Sequence, residues 1–137
     1  MPTVLEDMMF GPLNLGWTPE VAEARSKIAL AAVGITPNYT RPTFHLSSGE
    51  KRRVALAGVL VMEPDLLLLD EPTTSLDPPG QGALIQILHN LPPTKIIVSH
   101  DVHFARALSR RAVFLAAGKI VADGEVDELA RRFDWTL

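Results

Sequence analysis

Two adjacent carboxylates, Asp70 and Glu71, follow a run of four leucines in this chain. Such an apolar run predicts a short strand covered on both faces, which would carry the acids to the edge of a low-dielectric core. Two like charges side by side are costly there, and a cation relieves that cost. We expect Asp70 to hold Mg²⁺ through water, and Glu71 to orient and deprotonate an attacking water. The alternative is that acidic residues simply end a hydrophobic strand.

A second polar group, Ser47, Ser48 and Gly49, lies just before a predicted helix. A helix start offers unpaired N–H groups and partial positive charge, which suit phosphate. The basic residues 51–53 crowd the same end, where each cation costs roughly 0.3–1 kcal/mol at low salt, and an incoming polyanion would remove that cost. An ordinary serine cap with solvated basic residues is the alternative interpretation.

One histidine, His100, directly follows a second predicted buried strand at 95–99. A lone histidine is usually structural, but at a strand end beside Asp101 it could also donate a hydrogen bond to a terminal phosphate. The other histidines and the two tryptophans carry no predicted role, because the histidines lack metal-ligand spacing and the tryptophans fit packing or surface positions. They are His45, His89 and His103, and Trp17 and Trp135.

Strands that alternate with helices must position these residues, which predicts an α/β domain with a mainly parallel sheet. Residues 1–17 and 72–82 are predicted to lack regular structure because proline and glycine interrupt them, and 37–42 is predicted to be a loop. Predicted helices cover about 19–33, 48–62, 102–108 and 125–133, with another around Leu84 and Leu88. Predicted strands cover 66–70, 95–99, 112–116 and 119–122, the last two joined by a turn at Ala117-Gly118.

Composition narrows the classes of protein that fit. The 137 residues suffice for one domain, and 47% of them are hydrophobic. A net charge of −3 gives no general attraction to nucleic acid, so we expect no nucleic-acid partner. Cysteine is absent, which excludes a disulfide scaffold and fits a reducing compartment. No apolar run approaches the ~20 residues that span a bilayer, so a cytoplasmic location is expected.

The order and spacing of these motifs closely resemble the nucleotide-binding subunit of ATP-binding-cassette (ABC) transporters. The resemblance covers nearly all of residues 1–130, and residues 6–7, 10–16 and 51–60 narrow it to the ATPases of energy-coupling-factor importers for cobalt, nickel and vitamins. Two residues depart from the family pattern: Ser48 replaces a usual glycine, and Glu50 replaces the commonest glutamine. The matching motifs are a signature loop at Leu46–Glu50, a Walker B strand at Leu66–Glu71, a D-loop at Ser75, Leu76 and Asp77, and a switch histidine at His100.

The resemblance implies a partial P-loop NTPase core with a mainly parallel sheet, plus part of the helical signature subdomain. About 1–62 would form the signature part, and about 63–137 the Walker B, D-loop and switch-histidine part. Ser47 and Gly49 would contact the γ-phosphate bound by a second ATPase subunit, and Asp77 would communicate across that dimer. Implied cofactors are ATP and Mg²⁺. Implied partners are a second ATPase subunit or a second copy of the chain, and transmembrane importer subunits that hold it on the inner face of the cell membrane.

The chain contains no G-x-x-x-x-G-K-[ST] loop, the phosphate-binding Walker A motif of the family. By resemblance, that loop and the Q-loop glutamine precede the position that matches Met1. Losing about five charge-assisted phosphate contacts would remove roughly 7–15 kcal/mol, whereas micromolar binding is only about −8 kcal/mol. We therefore expect that the isolated chain neither binds nor hydrolyses ATP, and that activity needs a Walker A half from another polypeptide.

Two other hypotheses compete with an importer ATPase. One is a non-catalytic interaction module that retains the signature half. The other is the ATPase head of a chromosome-maintenance or repair protein, which shares a signature loop. Such heads carry long coiled-coil heptads, and none occur in this sequence.

Overall fold

A computed structural model describes residues 2–36, 39–74 and 76–135. Two compact units divide the chain, Met1–Asp65 and Leu66–Leu137. The first unit contains helices α1 (Val4–Asn14), α2 (Pro19–Ala32) and α3 (Ser48–Leu60), with a 3-10 turn at Thr43–His45. The second unit contains β1 (Leu66–Asp70), α4 (Pro78–Asn90), β2 (Thr94–Val98), α5 (Val102–Leu108), β3 (Arg111–Ala116), β4 (Lys119–Glu125) and α6 (Val126–Arg132).

Helix α1 occupies a segment that the sequence predicts to be irregular, so that prediction is wrong. A capping box starts the helix: the Thr3 hydroxyl accepts from the Glu6 N–H, and the Glu6 carboxylate accepts from the Thr3 N–H at 2.8 Å. Val4 and Met8 are buried on one face. Pro12 removes one backbone hydrogen bond near the end of the helix. The cap and the buried face together offset that loss.

Helix α4 begins inside the predicted loop 72–82, which is therefore shorter than predicted. The Asp77 carboxylate accepts a hydrogen bond from the Gly80 N–H at 3.0 Å and caps the helix. Pro78 and Pro79 then occupy the first helical positions, where no N–H donor is needed. Prolines that look like helix breakers in the sequence thus start the helix. Residues 37 and 38 of the other predicted loop lie outside the described residues.

The described strands of the second unit form two separate pairs, one parallel and one antiparallel. Strands β1 and β2 are parallel, with Leu67 opposite Lys95 and Asp70 opposite Val98. Strands β3 and β4 are antiparallel around Ala117-Gly118, where both residues have positive φ. The predicted mainly parallel sheet therefore corresponds to the β1–β2 pair alone.

One face of the β1–β2 pair is exposed, so the prediction that these strands are covered on both faces is wrong for the described residues. Side chains alternate across a strand, and the four leucines therefore divide between two environments. Leu67 is 3% exposed, whereas Leu68 is 69% exposed. The exposed side chains of this face, here called the open face, are Leu66, Leu68, Ile96 and Val98.

No helix within the described parts of the chain combines the length and hydropathy needed to cross a membrane.

Candidate functional site

Strands β1 and β2 end side by side, and the residues after them meet at that edge. The Glu71 N–H donates to the Val98 carbonyl at 2.9 Å, which extends the backbone pairing one residue beyond β1. His100 Nδ1 lies 2.8 Å from Glu71 Oε2. The structure thus brings together the acid and the histidine that the sequence singles out, although 29 positions separate them.

The backbone of Glu71 is unusual and firmly held. Its φ of 43° lies in the left-handed region, which non-glycine residues rarely adopt. Besides the contact of its N–H with β2, its carbonyl accepts a hydrogen bond from the Thr74 N–H at 3.2 Å. Backbone strain of this kind costs about 1–3 kcal/mol and persists where surrounding contacts fix it, often at functional sites. The turn sets where the Glu71 carboxylate is presented.

His100 is an exposed side chain whose charge depends on Glu71. The Glu71 carboxylate raises the pKa of His100, mainly through their hydrogen bond and then through charge attraction, and the Asp101 charge adds to this. The next residue fixes the local backbone: the Asp101 N–H donates to Ser99 Oγ, and the Asp101 carboxylate caps α5 by accepting from the Phe104 N–H, both at 3.0 Å. Because Nδ1 lies beside Glu71 and the side chain is exposed, His100 Nε2 is available to a ligand.

Asp70, the predicted magnesium residue, ends β1 as an exposed side chain. It takes part in none of the ion pairs found among the described residues. A free carboxylate suits Mg²⁺, which prefers oxygen ligands and retains most of its waters. Within residues 2–36, 39–74 and 76–135, no three acidic, histidine or cysteine side chains cluster in a way that would hold a metal. Binding of Mg²⁺ by Asp70 through water stays a prediction.

The serine-rich loop lies in the first unit and is organised by a capping box. The Glu50 N–H donates to Ser47 Oγ at 3.2 Å, and the Ser47 N–H donates to Glu50 Oε2 at 2.7 Å. Because Ser47 Oγ is the acceptor in this cap, its hydroxyl proton remains available to a further acceptor. Leu46 is buried and anchors the loop, while Ser48 and Gly49 form the first turn of α3.

Arg41 supports this loop and is a residue that the sequence analysis missed. Its guanidinium donates to Glu50 Oε1 at 2.8 Å and also to the carbonyl oxygen of His45. The Ser47 backbone N–H and then the Ser47 side chain lower the pKa of Glu50, and Arg41 contributes further. The signal in the sequence was Glu50 itself, because a charged residue in place of the commoner glutamine favours a cationic neighbour.

The predicted D-loop is described only in part, because Ser75 lies outside the described residues. The Leu76 N–H donates to the Thr73 carbonyl at 3.0 Å, and Asp77 caps α4. These contacts give Leu76 and Asp77 local structural roles. Communication across a dimer by Asp77 stays a prediction.

The described residues thus combine a parallel strand pair that ends in an acid–histidine contact with a helical unit that carries a capped serine loop, which defines an α/β protein. A family profile described as "ABC transporter" matches residues 3–74, which is more than half of the chain. The chain belongs to this family.

Known proteins of this family resemble the chain in sequence and fold. The cobalt import ATP-binding protein CbiO of Rhodobacter capsulatus is 47% identical over 125 residues, which cover 89% of this chain and 45% of that protein. The solved structure of cbiO1 from Clostridium perfringens, part of the ABC transporter complex cbiONQ, superimposes with a TM-score of 0.84 at 34% identity, covering 96% of this chain and 54% of that chain.

A dimeric bacterial ABC transporter cassette matches with a TM-score of 0.77 at 26% identity, covering 92% of this chain and 57% of that chain. The observed structure is therefore the α/β ABC ATPase fold, with a small parallel strand pair and helices. The chain spans about half the length of the curated relatives that it matches.

Proposed function

We propose that the chain is the signature and Walker B part of an ATP-hydrolysing subunit of an ABC importer for metal ions such as cobalt or nickel, or for vitamins. The observation that carries the proposal is the 2.8 Å contact between Glu71 and His100 at the end of the β1–β2 pair. The R. capsulatus relative is named as a cobalt import ATP-binding protein, which supports the substrate class. The first unit would be the signature part, and the second the catalytic core part.

In this proposal Glu71 is the general base. Its carboxylate would orient the attacking water and accept its proton, and backbone hydrogen bonds to Val98 and Thr74 hold it for that task. His100 would donate a hydrogen bond from Nε2 to the γ-phosphate. Asp70 would hold Mg²⁺ through water, and the bound ion would neutralise charge on the phosphates.

The loop Leu46–Glu50 would act on ATP held by a second ATPase subunit or a second copy of the chain. Two features support this: the free hydroxyl proton of Ser47, and the N–H groups of Ser48 and Gly49 in the first turn of a capped helix. Glu50 would serve the loop rather than the phosphate, because both of its carboxylate oxygens already accept hydrogen bonds. A related cassette of similar fold is dimeric, which favours this arrangement.

The main contacts to the triphosphate of ATP would come from a Walker A segment outside residues 1–137. A longer form of the protein or another polypeptide would carry that segment. The exposed open face supports this, because contiguous apolar surface on a soluble domain usually marks a contact site. Transmembrane importer subunits would hold the assembly on the inner face of the cell membrane. The chain alone would then be inactive, and nucleic acid would not be a partner.

A Glu71→Gln variant of the complete ATPase assembly tests the proposal. We expect hydrolysis to fall by about 10²–10⁴-fold, the usual contribution of a general base, while ATP remains bound. The matched control is Asp127→Asn, which removes the charge of an exposed acid that pairs with Arg106 on α5. Normal turnover in Glu71→Gln would overturn the proposal.

The open face also favours the second candidate, a non-catalytic interaction module. The two candidates differ in one measurement on the assembly that contains a Walker A segment. If the assembly hydrolyses ATP with Mg²⁺ and Glu71→Gln abolishes this activity, the chain is part of an enzyme. If the assembly does not hydrolyse ATP, the chain is an interaction module.

A further inference from the structure

The chain beyond α6 folds back onto the backbone of His100. Trp135 Nε1 donates a hydrogen bond to the carbonyl oxygen of His100 at 2.5 Å, across 35 positions of sequence. Asp134 adopts a φ of 49°, and the Trp135 N–H donates to the Ala130 carbonyl at 2.8 Å. These two features reverse the chain at the end of α6. They place the indole beside the His100 carbonyl, two residues beyond the end of β2.

An aromatic cluster fixes the direction of that indole. Phe114 on β3 stacks on Phe133 with ring centroids 4.5 Å apart and an interplanar angle of 15°. The Trp135 ring meets Phe114 edge-on at 5.4 Å and 77°. Such arrangements are the preferred geometries of aromatic pairs. Because the indole N–H can only donate, a fixed ring gives the N–H a fixed target.

We propose that Trp135 is a positioning residue for His100: its indole N–H fixes the His100 carbonyl and thereby holds the imidazole against Glu71. The inference rests on the role proposed above for His100. Neighbouring contacts define what Trp135 adds. The peptide group that joins His100 to Asp101 is held at both of its polar atoms. Its N–H, from Asp101, donates to Ser99 Oγ, and its carbonyl, from His100, accepts from the Trp135 indole.

The physical gain is a smaller entropy cost for the Glu71–His100 contact. His100 is an exposed side chain at a strand end, so both its backbone and its imidazole must be ordered before the contact forms. A hydrogen bond to its carbonyl orders the backbone in advance. The competing explanation is that the aromatic cluster only covers the β3–β4 pair. In that case the N–H of Trp135 would be irrelevant to His100.

Trp135→Phe in the full chain separates these explanations, because it keeps an aromatic ring and removes the donor. We expect backbone amide exchange in residues 100–103 to accelerate about fivefold, the factor that matches one lost hydrogen bond, with β1 and β2 unchanged. In NMR titrations the pKa of His100 should fall toward its ordinary value.

Trp17→Phe is the matched control, since it removes the other tryptophan of the chain, which lies in the first unit. It should change neither measurement. The proposal is overturned if Trp135→Phe leaves both the exchange of 100–103 and the titration of His100 unchanged.

A second variant keeps the test decisive if circular dichroism shows that Trp135→Phe does not fold. In a Trp17→Phe background, Trp135 is the one tryptophan left in the sequence, so it can be replaced biosynthetically by benzothienylalanine. That analogue keeps the size of the ring and lacks the N–H. The protein that carries this analogue must show the same faster amide exchange in residues 100–103. None of these measurements requires ATP turnover, so their failure is distinguishable from failure of the Glu71→Gln test.

Discussion

The contact between Glu71 and His100 gives the stability of the chain a defined pH dependence. The carboxylate raises the pKa of His100 above its ordinary value of 6.5 in the folded chain, while the unfolded chain retains that ordinary value. The contact therefore stabilises the fold fully below the ordinary value, and this contribution is lost as pH rises through the raised pKa. High salt should weaken the effect, because the pair is exposed.

We expect the urea midpoint of the chain to fall between about pH 6 and pH 8 by more than the midpoint of Glu71→Gln does over the same interval. The comparison isolates the contact between Glu71 and His100, because the variant removes the carboxylate and retains every histidine of the chain. Parallel pH curves for the two proteins would show that the contact does not contribute in solution.

Residue-level prediction from the sequence succeeds where a motif fixes the spacing. Glu71 and His100 each follow a strand in the sequence, and two parallel neighbouring strands bring their ends together. Arg41 and Trp135 were not predicted to act on the sites. The contact between Trp135 and the His100 carbonyl depends on how α6 and β3 pack, which no local pattern records.

At the scale of elements, the contribution of Arg41 at the cap of α3 to stability can be compared with that of Arg25 in another ion pair. Arg41 and its partner Glu50 have side chains that are 34% and 26% exposed, and Arg41 also binds the His45 carbonyl. Arg25 and Glu63 form an ion pair whose side chains are 50% and 57% exposed. Exposed pairs contribute little, whereas an additional backbone acceptor adds a charge-assisted hydrogen bond.

Arg41→Gln should therefore lower the free energy of unfolding by about 0.5–1 kcal/mol more than Arg25→Gln does. Urea denaturation followed by circular dichroism measures both variants under identical conditions. Equal losses would mean that the contacts of Arg41 do not support the loop.

Helix caps in this chain follow local sequence rules. Thr18, Ser47 and Asp101 are residue types that favour cap positions, and their side chains cap α2, α3 and α5. The capping-box pattern of Thr3 and Glu6 likewise indicates α1, although the proline and glycines nearby favour irregular structure. Burial of β1 could not be predicted, because it depends on what packs against the strand rather than on its own residues.

At the scale of the whole molecule, we expect the chain alone to give no measurable heat with Mg-ATP in isothermal titration at about 100 μM. The sequence lacks G-x-x-x-x-G-K-[ST], so the several charge-assisted phosphate contacts of that loop are missing. A longer chain that carries the Walker A segment is the positive control and should bind. Micromolar binding by residues 1–137 alone would contradict this prediction.

Alanine substitutions of Leu67 and Leu68 test whether a Walker A segment covers the open face. They are neighbours of identical type in β1, yet Leu67 is 3% exposed and Leu68 is 69% exposed. In the chain alone, Leu67→Ala should cost about 2–5 kcal/mol of unfolding free energy, as buried leucines do. Leu68→Ala should change it by only about 0.5 kcal/mol, because its side chain remains largely in water in the folded state.

The losses of unfolding free energy caused by the two substitutions should become similar when a Walker A segment is present. If that segment covers the open face, Leu68 becomes buried, and Leu68→Ala should then destabilise the assembly by about 2–5 kcal/mol as well. Urea denaturation of both variants, with and without the added segment, measures this change. A cost for Leu68→Ala that stays small in the assembly would show that the segment binds elsewhere, because a leucine that loses no contact with water gains no hydrophobic stabilisation.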